Sequence, residues 1–315
     1  MNKLINNEKH YVTLNNYLKS IYNKKVFKIS LNGNFSCPNR DGKISHNGCI
    51  FCSEKGSGDF AGEKNLPIKE QFYEIVNKME QKWHDGYYIA YFQANTNTYD
   101  TLENLKKRYN EIINDGVLLD DKIKILSIAT RPDCINEEIV SYLANINKTI
   151  PVWIELGFQT MHHKTAILIN RGYFNNTFID AVNLLSKYNL TTIVHIINGL
   201  PGESFDDMID TAKYLNKLPI QGIKIHMLHI MKNTPLEDYY KETNFNVLTL
   251  EEYVKIVSMQ LQHLNDNIVI HRVTGDSPKE LLIEPKWTLK KFIVINEIDK
   301  YMRANNIYQG DLCLK

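Results

Sequence analysis

The chain has 315 residues, 43% of them hydrophobic, and a formal net charge of +1. That length suits one large domain, or one with an appendage, and the composition supplies a sizeable core. No apolar run approaches the roughly 18 residues of a membrane span, and the polar opening Met1–His10 lacks the apolar stretch of a secretion signal. A cytoplasmic location without membrane association is therefore expected.

Val26–Leu31 is the first strand expected from the pattern. A helix follows over Ile68–Trp83, with Phe72, Ile75, Val76, Met79 and Trp83 at helical spacing. Tyr88–Gln93 reads as a strand, Thr101–Asn114 as a helix, Ile125–Ala129 as a strand, and Glu137–Asn147 as a helix capped by Asn136. The alternation continues through strand Val152–Phe158, helix Thr177–Tyr188, strand Thr191–Ile197, helix Phe205–Leu215 behind Ser204, and strand Gly222–Leu228. Six βα units imply a parallel sheet with helical crossovers. The expected fold is α/β, a partial (β/α)6 TIM-like barrel over residues 1–244. A C-terminal α-rich extension over 245–315 packs on it, with helices Leu250–Leu264 and Leu289–Asn305 and a short strand Ile268–His271.

Each strand runs at its C-terminal end into polar or glycine-containing residues: Asn32-Gly33-Asn34, Gln93-Ala94-Asn95-Thr96, Thr130-Arg131-Pro132-Asp133, Gln159-Thr160, Asn198-Gly199 and His229. One such loop is solvation; six on one edge mark an active-site rim.

Five cysteines, odd in number and unevenly spread, do not make a secreted disulfide framework. Three of them, Cys37, Cys49 and Cys52, cluster within a turn-rich loop and read first as a metal site. Three chemistries compete. Structural zinc needs a fourth ligand, for which His46 is at hand. A thioredoxin-like Cys49–Cys52 pair leaves Cys37 idle. A cubane cluster held by three thiolates leaves one iron open for a small molecule. Cys134 and Cys313 read as packing residues. Residues 1–43 also hold eight basic side chains against Glu8 and Asp41, which is either a solvated face or a contact surface for a polyanion such as RNA.

Three cysteines after the first strand of a βα barrel resemble the radical S-adenosylmethionine superfamily, and Phe51 matches its usual aromatic before the last cysteine. The long first gap narrows the resemblance to the YtqA/YhcC (MnmL-like) family, whose barrel is related to that of the Elongator catalytic subunit. The matching segments span nearly the whole chain. They include Tyr11-Val12-Thr13-Leu14-Asn15, Cys37-Pro38-Asn39-Arg40-Asp41-Gly42, Tyr91-Phe92-Gln93-Ala94-Asn95-Thr96-Asn97-Thr98 and Glu155-Leu156-Gly157-Phe158-Gln159-Thr160. They continue with Ile169-Asn170-Arg171-Gly172, Gly199-Leu200-Pro201-Gly202-Glu203, Thr274-Gly275-Asp276 and Gln309-Gly310. His163 departs from the pattern, where an aspartate is expected.

The resemblance implies a [4Fe-4S] cluster on Cys37, Cys49 and Cys52, with S-adenosylmethionine on the open iron and an electron donor such as flavodoxin or ferredoxin. Reductive cleavage gives methionine and a 5′-deoxyadenosyl radical that abstracts hydrogen from the substrate. Superfamily position implies cofactor contacts from Phe51, Gln93, Asn95, Thr96, Glu155, Gln159, Asn198, Gly199, His226 and Leu228. For Glu155 the competing reading is an ion pair with a lysine such as Lys224. The family further implies action on tRNA, converting a 5-carboxymethylaminomethyl (or 2-thio) wobble uridine to its 5-aminomethyl form. Arg131, Arg171 and Arg272 are candidates for the substrate carboxylate or a phosphate, and Tyr91, Phe92 and Tyr99 for stacking on a base. Two other functions fit the same residues: a radical enzyme acting on a small metabolite or protein, and a cluster-bearing sensor or binding protein without turnover.

Overall fold

A computed structural model describes residues 2–81, 83, 85–113 and 122–313. The elements are α1 (Leu14–Tyr22), β1 (Val26–Leu31), α2 (Ile68–Glu80), β2 (Tyr87–Phe92), α3 (Leu102–Ile113), β3 (Ile123–Thr130), α4 (Glu137–Ile146), β4 (Val152–Gln159), α5 (His163–Leu168) and α6 (Asn175–Lys187). They continue as β5 (Thr191–Asn198), α7 (Phe205–Leu215), β6 (Gly222–Met227), β7 (Ile230–Met231), α8 (Pro235–Thr243), α9 (Leu250–His263), β8 (Val269–Arg272), β9 (Leu282–Glu284) and α10 (Lys291–Ala304). Asn114, the expected end of α3, lies outside the described residues. Helix α2 stops three residues before Trp83, whose ring instead packs beside Phe27 at 6.2 Å.

Seven strands form one parallel sheet in the order β1-β2-β3-β4-β5-β6-β8, open between β1 and β8. This is the expected α/β partial barrel with one strand more. The short strand assigned to the C-terminal extension enters the sheet beside β6, with Val269 opposite Gly222. Its brevity hid this in the sequence, because four residues carry too little alternation to show which sheet they join.

Side chains alternate across the strands with period two. Tyr88, Ala90, Phe92, Leu126, Ile128, Ile154, Leu156, Val194, Ile196, Ile223 and Ile225 face the helices and belong to the main core. The opposite set faces the barrel interior. At the N-terminal ends of the strands this set is apolar: Ile89, Ile125, Trp153 and Ile193 meet Leu18 of α1. Helix α1, to which the sequence reading gave no element, packs on both β1 and β8. Its cap Thr13 bridges to Ile270. The helix therefore closes the bottom of the open barrel, and chemistry is left to the C-terminal edge.

The caps expected from sequence form. Asn136 accepts the Ile139 N–H at 2.9 Å, and Ser204 and Asp207 make a reciprocal capping box on α7. A second box, Thr249 with Glu252, starts α9. Each cap is worth about 1 kcal/mol. They fix where α7 and α9 begin, and so how these helices pack on one another outside β5 and β6.

Candidate active site

A cavity of about 570 Å³ sits at the C-terminal ends of the strands. Cys37, Cys49 and Cys52 all line it. The loop that carries them is tied down along its length. Arg40 donates to the carbonyls of Glu54 (2.7 Å) and Ser53, which follow the Cys49–Cys52 turn. Asn39 donates to the Asn170 carbonyl at 2.6 Å, and Asn170 returns a bond to the Gly48 carbonyl at 2.6 Å. Ile50 bonds through its backbone to Ile169 and Leu236. The Cys52 thiol is held down at about 7, first by its hydrogen bond with Cys49 and then by the nearby Arg40.

These residues fit an iron–sulfur cluster. Three thiols share one cavity wall, where Cys49 feels the charge of both Cys52 and Cys37. Among the described residues, no three Cys, His, Asp or Glu side chains close on a point as the ligands of a single ion do. His46, the candidate fourth zinc ligand, packs its ring over Gly42 within its own loop. Three thiols without a fourth ligand suit a cluster that leaves one iron open better than a closed structural zinc site.

Most of the predicted cofactor contacts gather on this cavity. Phe51, Gln93, Asn95, Thr96, Glu155, Gln159, His226 and Leu228 line it. The loop after β2 also braces the cysteine loop: the N–H of Asn95 reaches the Gly56 carbonyl at 2.9 Å, that of Thr96 the Ser36 carbonyl at 3.2 Å, and the Gln93 amide the Ser57 carbonyl at 2.9 Å. Gln159 sits at a register shift at the end of β4 with φ of 68°. That left-handed conformation is unfavourable for glutamine and is common where a strand end aims a side chain at a site. Gly157 makes room for it, since a Cβ there would lie 2.7 Å from the Gln159 amide nitrogen.

Asn198 and Gly199 are not on the cavity, and this corrects the sequence expectation. Asn198 shares its parity with Val194 and Ile196, so it faces outward and pairs its amide with that of Gln260 on α9 at 2.8 Å. Gly199 lies against Leu248. His195 and Ile197, one residue out of phase, face in.

The three arginines reach the cavity wall, and each is tied to neighbouring groups of the chain. Arg171 is buried and donates to the carbonyls of Phe158, Thr160 and Tyr173 and to Asn175. Arg131 holds Asp133 through two bonds and the Arg171 carbonyl through a third. Arg272 pairs with Asp276. The stacking candidates Tyr91 and Phe92 are buried, and Tyr99 lies beside Lys43. Cys134 and Cys313 do not line the cavity, and His163 lies tilted beside Phe174 away from it, at 5.3 Å between ring centres. The basic N-terminal stretch is not one face either: Lys9 pairs with Asp299, Lys24 with Asp85, and Lys28 points into the barrel.

The cavity floor is a charged layer that sequence reasoning named only in part. Glu155 has a fully buried side chain and accepts from Lys28 (2.7 Å), Ser127 (2.6 Å), His195 (2.8 Å) and Lys224. Burial alone would raise its carboxyl; Lys224, Lys28 and His195 outweigh that and hold it well below the usual range. Burial lowers Lys224 to about 7 against the pull of Glu155, and lowers His195 to about 4 with Lys224 adding to the effect. The lysine pairing read as the alternative for Glu155 is therefore present.

His195 and His229, both lowered by burial to about 4, make stability depend on pH. The unfolded chain protonates them near 6.5 and the folded one does not. The contribution of these two histidines is therefore complete above about pH 6.5 and falls below it by about 1.4 kcal/mol per pH unit per histidine, down to about pH 4. Urea unfolding across this range is expected to show the loss, and His195→Gln to shrink it.

Open parallel sheet, thiol-lined wall and polar strand ends together define a radical-enzyme core. The Radical SAM superfamily model matches residues 42–215 and that of the Radical_SAM C-terminal domain residues 220–304. The chain belongs to the radical S-adenosylmethionine superfamily, whose cofactors are a [4Fe-4S] cluster and S-adenosylmethionine, and it is an enzyme of that class. Within the superfamily it is 46% identical over 305 residues to the uncharacterized protein YtqA of Bacillus subtilis, covering 97% of this chain and 93% of that one. Protein YhcC of Escherichia coli is 30% identical over 287 residues, 91% of this chain and 90% of that one. A tRNA uridine(34) acetyltransferase of Methanocaldococcus infernus is 23% identical over 189 residues, which is 58% of this chain and 34% of that protein. The solved structure of the archaeal Elp3 from the same organism has the same fold, with a TM-score of 0.70 at 17% identity over 90% of this chain and 64% of that one. Among the described residues, no helix is long and apolar enough to cross a membrane.

Proposed function

We propose that the enzyme acts in the cytoplasm on tRNA, converting a 5-carboxymethylaminomethyl (or 2-thio) wobble uridine to the 5-aminomethyl form. The observation that carries this reading is the cavity itself, which is open at the strand ends and walled by thiols on one side. Its mouth bears Phe60, a half-exposed aromatic ring suited to stacking on an extruded base. The partial likeness to a tRNA uridine(34) acetyltransferase supports the same substrate class.

When bound, the cluster and S-adenosylmethionine supply a 5′-deoxyadenosyl radical able to take hydrogen from an unactivated carbon. Cys37, Cys49 and Cys52 would hold the cluster. Gln93, Asn95, Thr96 and Gln159 stand on the wall beside them, where they would orient the methionine and ribose parts. Arg40 keeps the cysteine loop in place through the Ser53 and Glu54 carbonyls. Phe51 and Leu228 make that side apolar and exclude water from the reactive carbon. The methylene between amine and carboxylate is the weakest C–H of the modified side arm, because both neighbours stabilise a radical there. A reduced flavodoxin or ferredoxin is the proposed electron source.

The test is anaerobic turnover of the reconstituted enzyme with reductant, S-adenosylmethionine and tRNA bearing the carboxymethylaminomethyl group. Mass spectrometry is expected to show 5′-deoxyadenosine rising together with 5-aminomethyluridine and a released two-carbon acid. Deoxyadenosine with unchanged tRNA would turn the reading to a small metabolite or protein substrate. A reducible cluster with neither product would leave a sensor.

A further inference from the structure

Six basic side chains line the cavity against three acidic ones, Asp59, Glu155 and Asp276. Three of the six have most of their donors engaged by the chain, and a fourth, Arg272, is paired with Asp276, a carboxylate outside the Glu155 layer that it shares with Lys291. Arg40 holds the carbonyls of the cysteine loop, Arg131 holds Asp133, Arg171 holds carbonyls behind β4, and Arg272 holds Asp276. Lys28 and Lys224 are different. Both reach a single carboxylate, Glu155, from opposite sides of the barrel. Both also lie over the ring of Tyr91, at 4.3 and 4.5 Å from its centre.

A purely structural ion pair needs one lysine for one carboxylate, and the second cation, Lys28, partly exposed with a side chain 22% accessible, has no carboxylate of its own. Two lysines face one carboxylate while the neighbouring His195 stays neutral, so with Lys224, which burial pulls down to about 7, in its protonated form the layer carries one unbalanced positive charge. Donors are also left over. Each ammonium has three N–H groups; Lys28 makes one bond to protein and Lys224 makes two, to Glu155 and to the Tyr91 hydroxyl at 3.3 Å. His271 lines the same cavity with a buried Nδ1 that has no partner. Buried polar atoms are nearly always paired, so a floor with spare donors and net positive charge has the character of a site awaiting an anion.

We propose that Lys28 and Lys224, braced by Glu155 and Tyr91, form a cradle on the cavity floor for the carboxylate of a substrate with an amino-acid-like side arm. The excess of one positive charge suits a monoanion, which argues for a carboxylate over a phosphate. Rigid placement comes from below, where Glu155 fixes both ammoniums, and from the side, where the Tyr91 ring carries them. A carboxylate on this floor leaves its neighbouring carbon pointing up the cavity toward the thiol-lined end. This assignment rests on the wobble-uridine reading for the identity of the substrate, but not for the existence of the anion site.

Two probes separate those claims. The first is the pair 5-carboxymethylaminomethyluridine and 5-methylaminomethyluridine, which differ by the carboxylate, each titrated into the cluster-loaded enzyme. Two charge-assisted bonds predict about a ten- to hundredfold preference for the acid. Lys28→Met and Lys224→Met are expected to bring the ratio of the two affinities close to one, and Lys224→Arg to restore much of it. The second probe is N-methylglycine alone, expected to bind saturably in the millimolar range to the wild type and not to the methionine variants. Where Lys224→Met fails to fold, Lys28→Met carries the comparison, since its side chain is the more exposed of the two. If the nucleosides fail to bind while N-methylglycine binds in a lysine-dependent way, the cradle stands and the tRNA reading falls. A wild type that shows no preference for the acid and no saturable N-methylglycine binding overturns the cradle. So does a preference that survives both methionine variants.

Discussion

Alanine at Cys37, Cys49 or Cys52 is expected to remove the iron–sulfur absorbance and to lower 5′-deoxyadenosine formation by roughly a thousandfold or more, since no side chain replaces the cofactor's chemistry. Cys134 feels the charge of Cys37 but does not line the cavity. His46 packs over Gly42, and Cys134 makes its contacts beyond the cavity, where its backbone carbonyl accepts from Thr98 at 2.8 Å. Alanine at Cys134 or Cys313 is accordingly expected to change neither reading. Iron and sulfide content, measured beside deoxyadenosine on the same anaerobic samples, decides the matter. A Cys49→Ala protein with a full cluster and normal cofactor cleavage would take the ligand assignment with it. The fold itself is expected to survive these substitutions, because the cysteine loop is held by Arg40, Asn39 and Asn170 and not by the thiols.

How much of this was legible in the sequence follows from physical range. Strands and helices of the βα repeat are local patterns, and the six long strands appear within two residues of their expected ends. Caps such as Asn136 and Ser204 act over three or four residues and were readable too. The seventh strand was not, because its membership of the sheet depends on β6, more than forty residues away. The cysteine triplet stood out by spacing alone. The charged floor was present in the sequence in plain form and went mostly unread. Lys28 lies within Val26–Leu31, Ser127 within Ile125–Ala129, His195 within Thr191–Ile197 and Lys224 within Gly222–Leu228, each the polar centre of an apolar strand. A polar residue mid-strand in a parallel sheet buried on both faces is the informative exception. Reading strand parity from such residues would also have separated inward His195 from outward Asn198.

Glu155→Gln is expected to destabilise the protein more than any substitution on the cavity rim. The carboxylate is the common partner of two ammoniums, and breaking a buried pair by removing one member costs about 3–5 kcal/mol. Two features set where in that range the loss falls. Lys28 keeps partial access to solvent, with a side chain 22% exposed, and recovers some hydration. Lys224, at 8% exposure, has none to recover, but it sits at about 7 even with Glu155 beside it. Removing the carboxylate lowers it further, so it gives up its proton in the folded variant while the unfolded chain keeps it charged. The unfolded state then binds more protons, and the variant gains stability as pH rises. Its deficit against the wild type is therefore expected to be larger near about pH 6 than near about pH 9. The double variant Glu155→Gln with Lys224→Met removes the stranded lysine as well and is expected to recover roughly half of the loss, which a double-mutant cycle of urea midpoints reads directly. Equal stability of Glu155→Gln and wild type at about pH 6 would mean that the two lysines do not depend on this carboxylate for their place in the barrel.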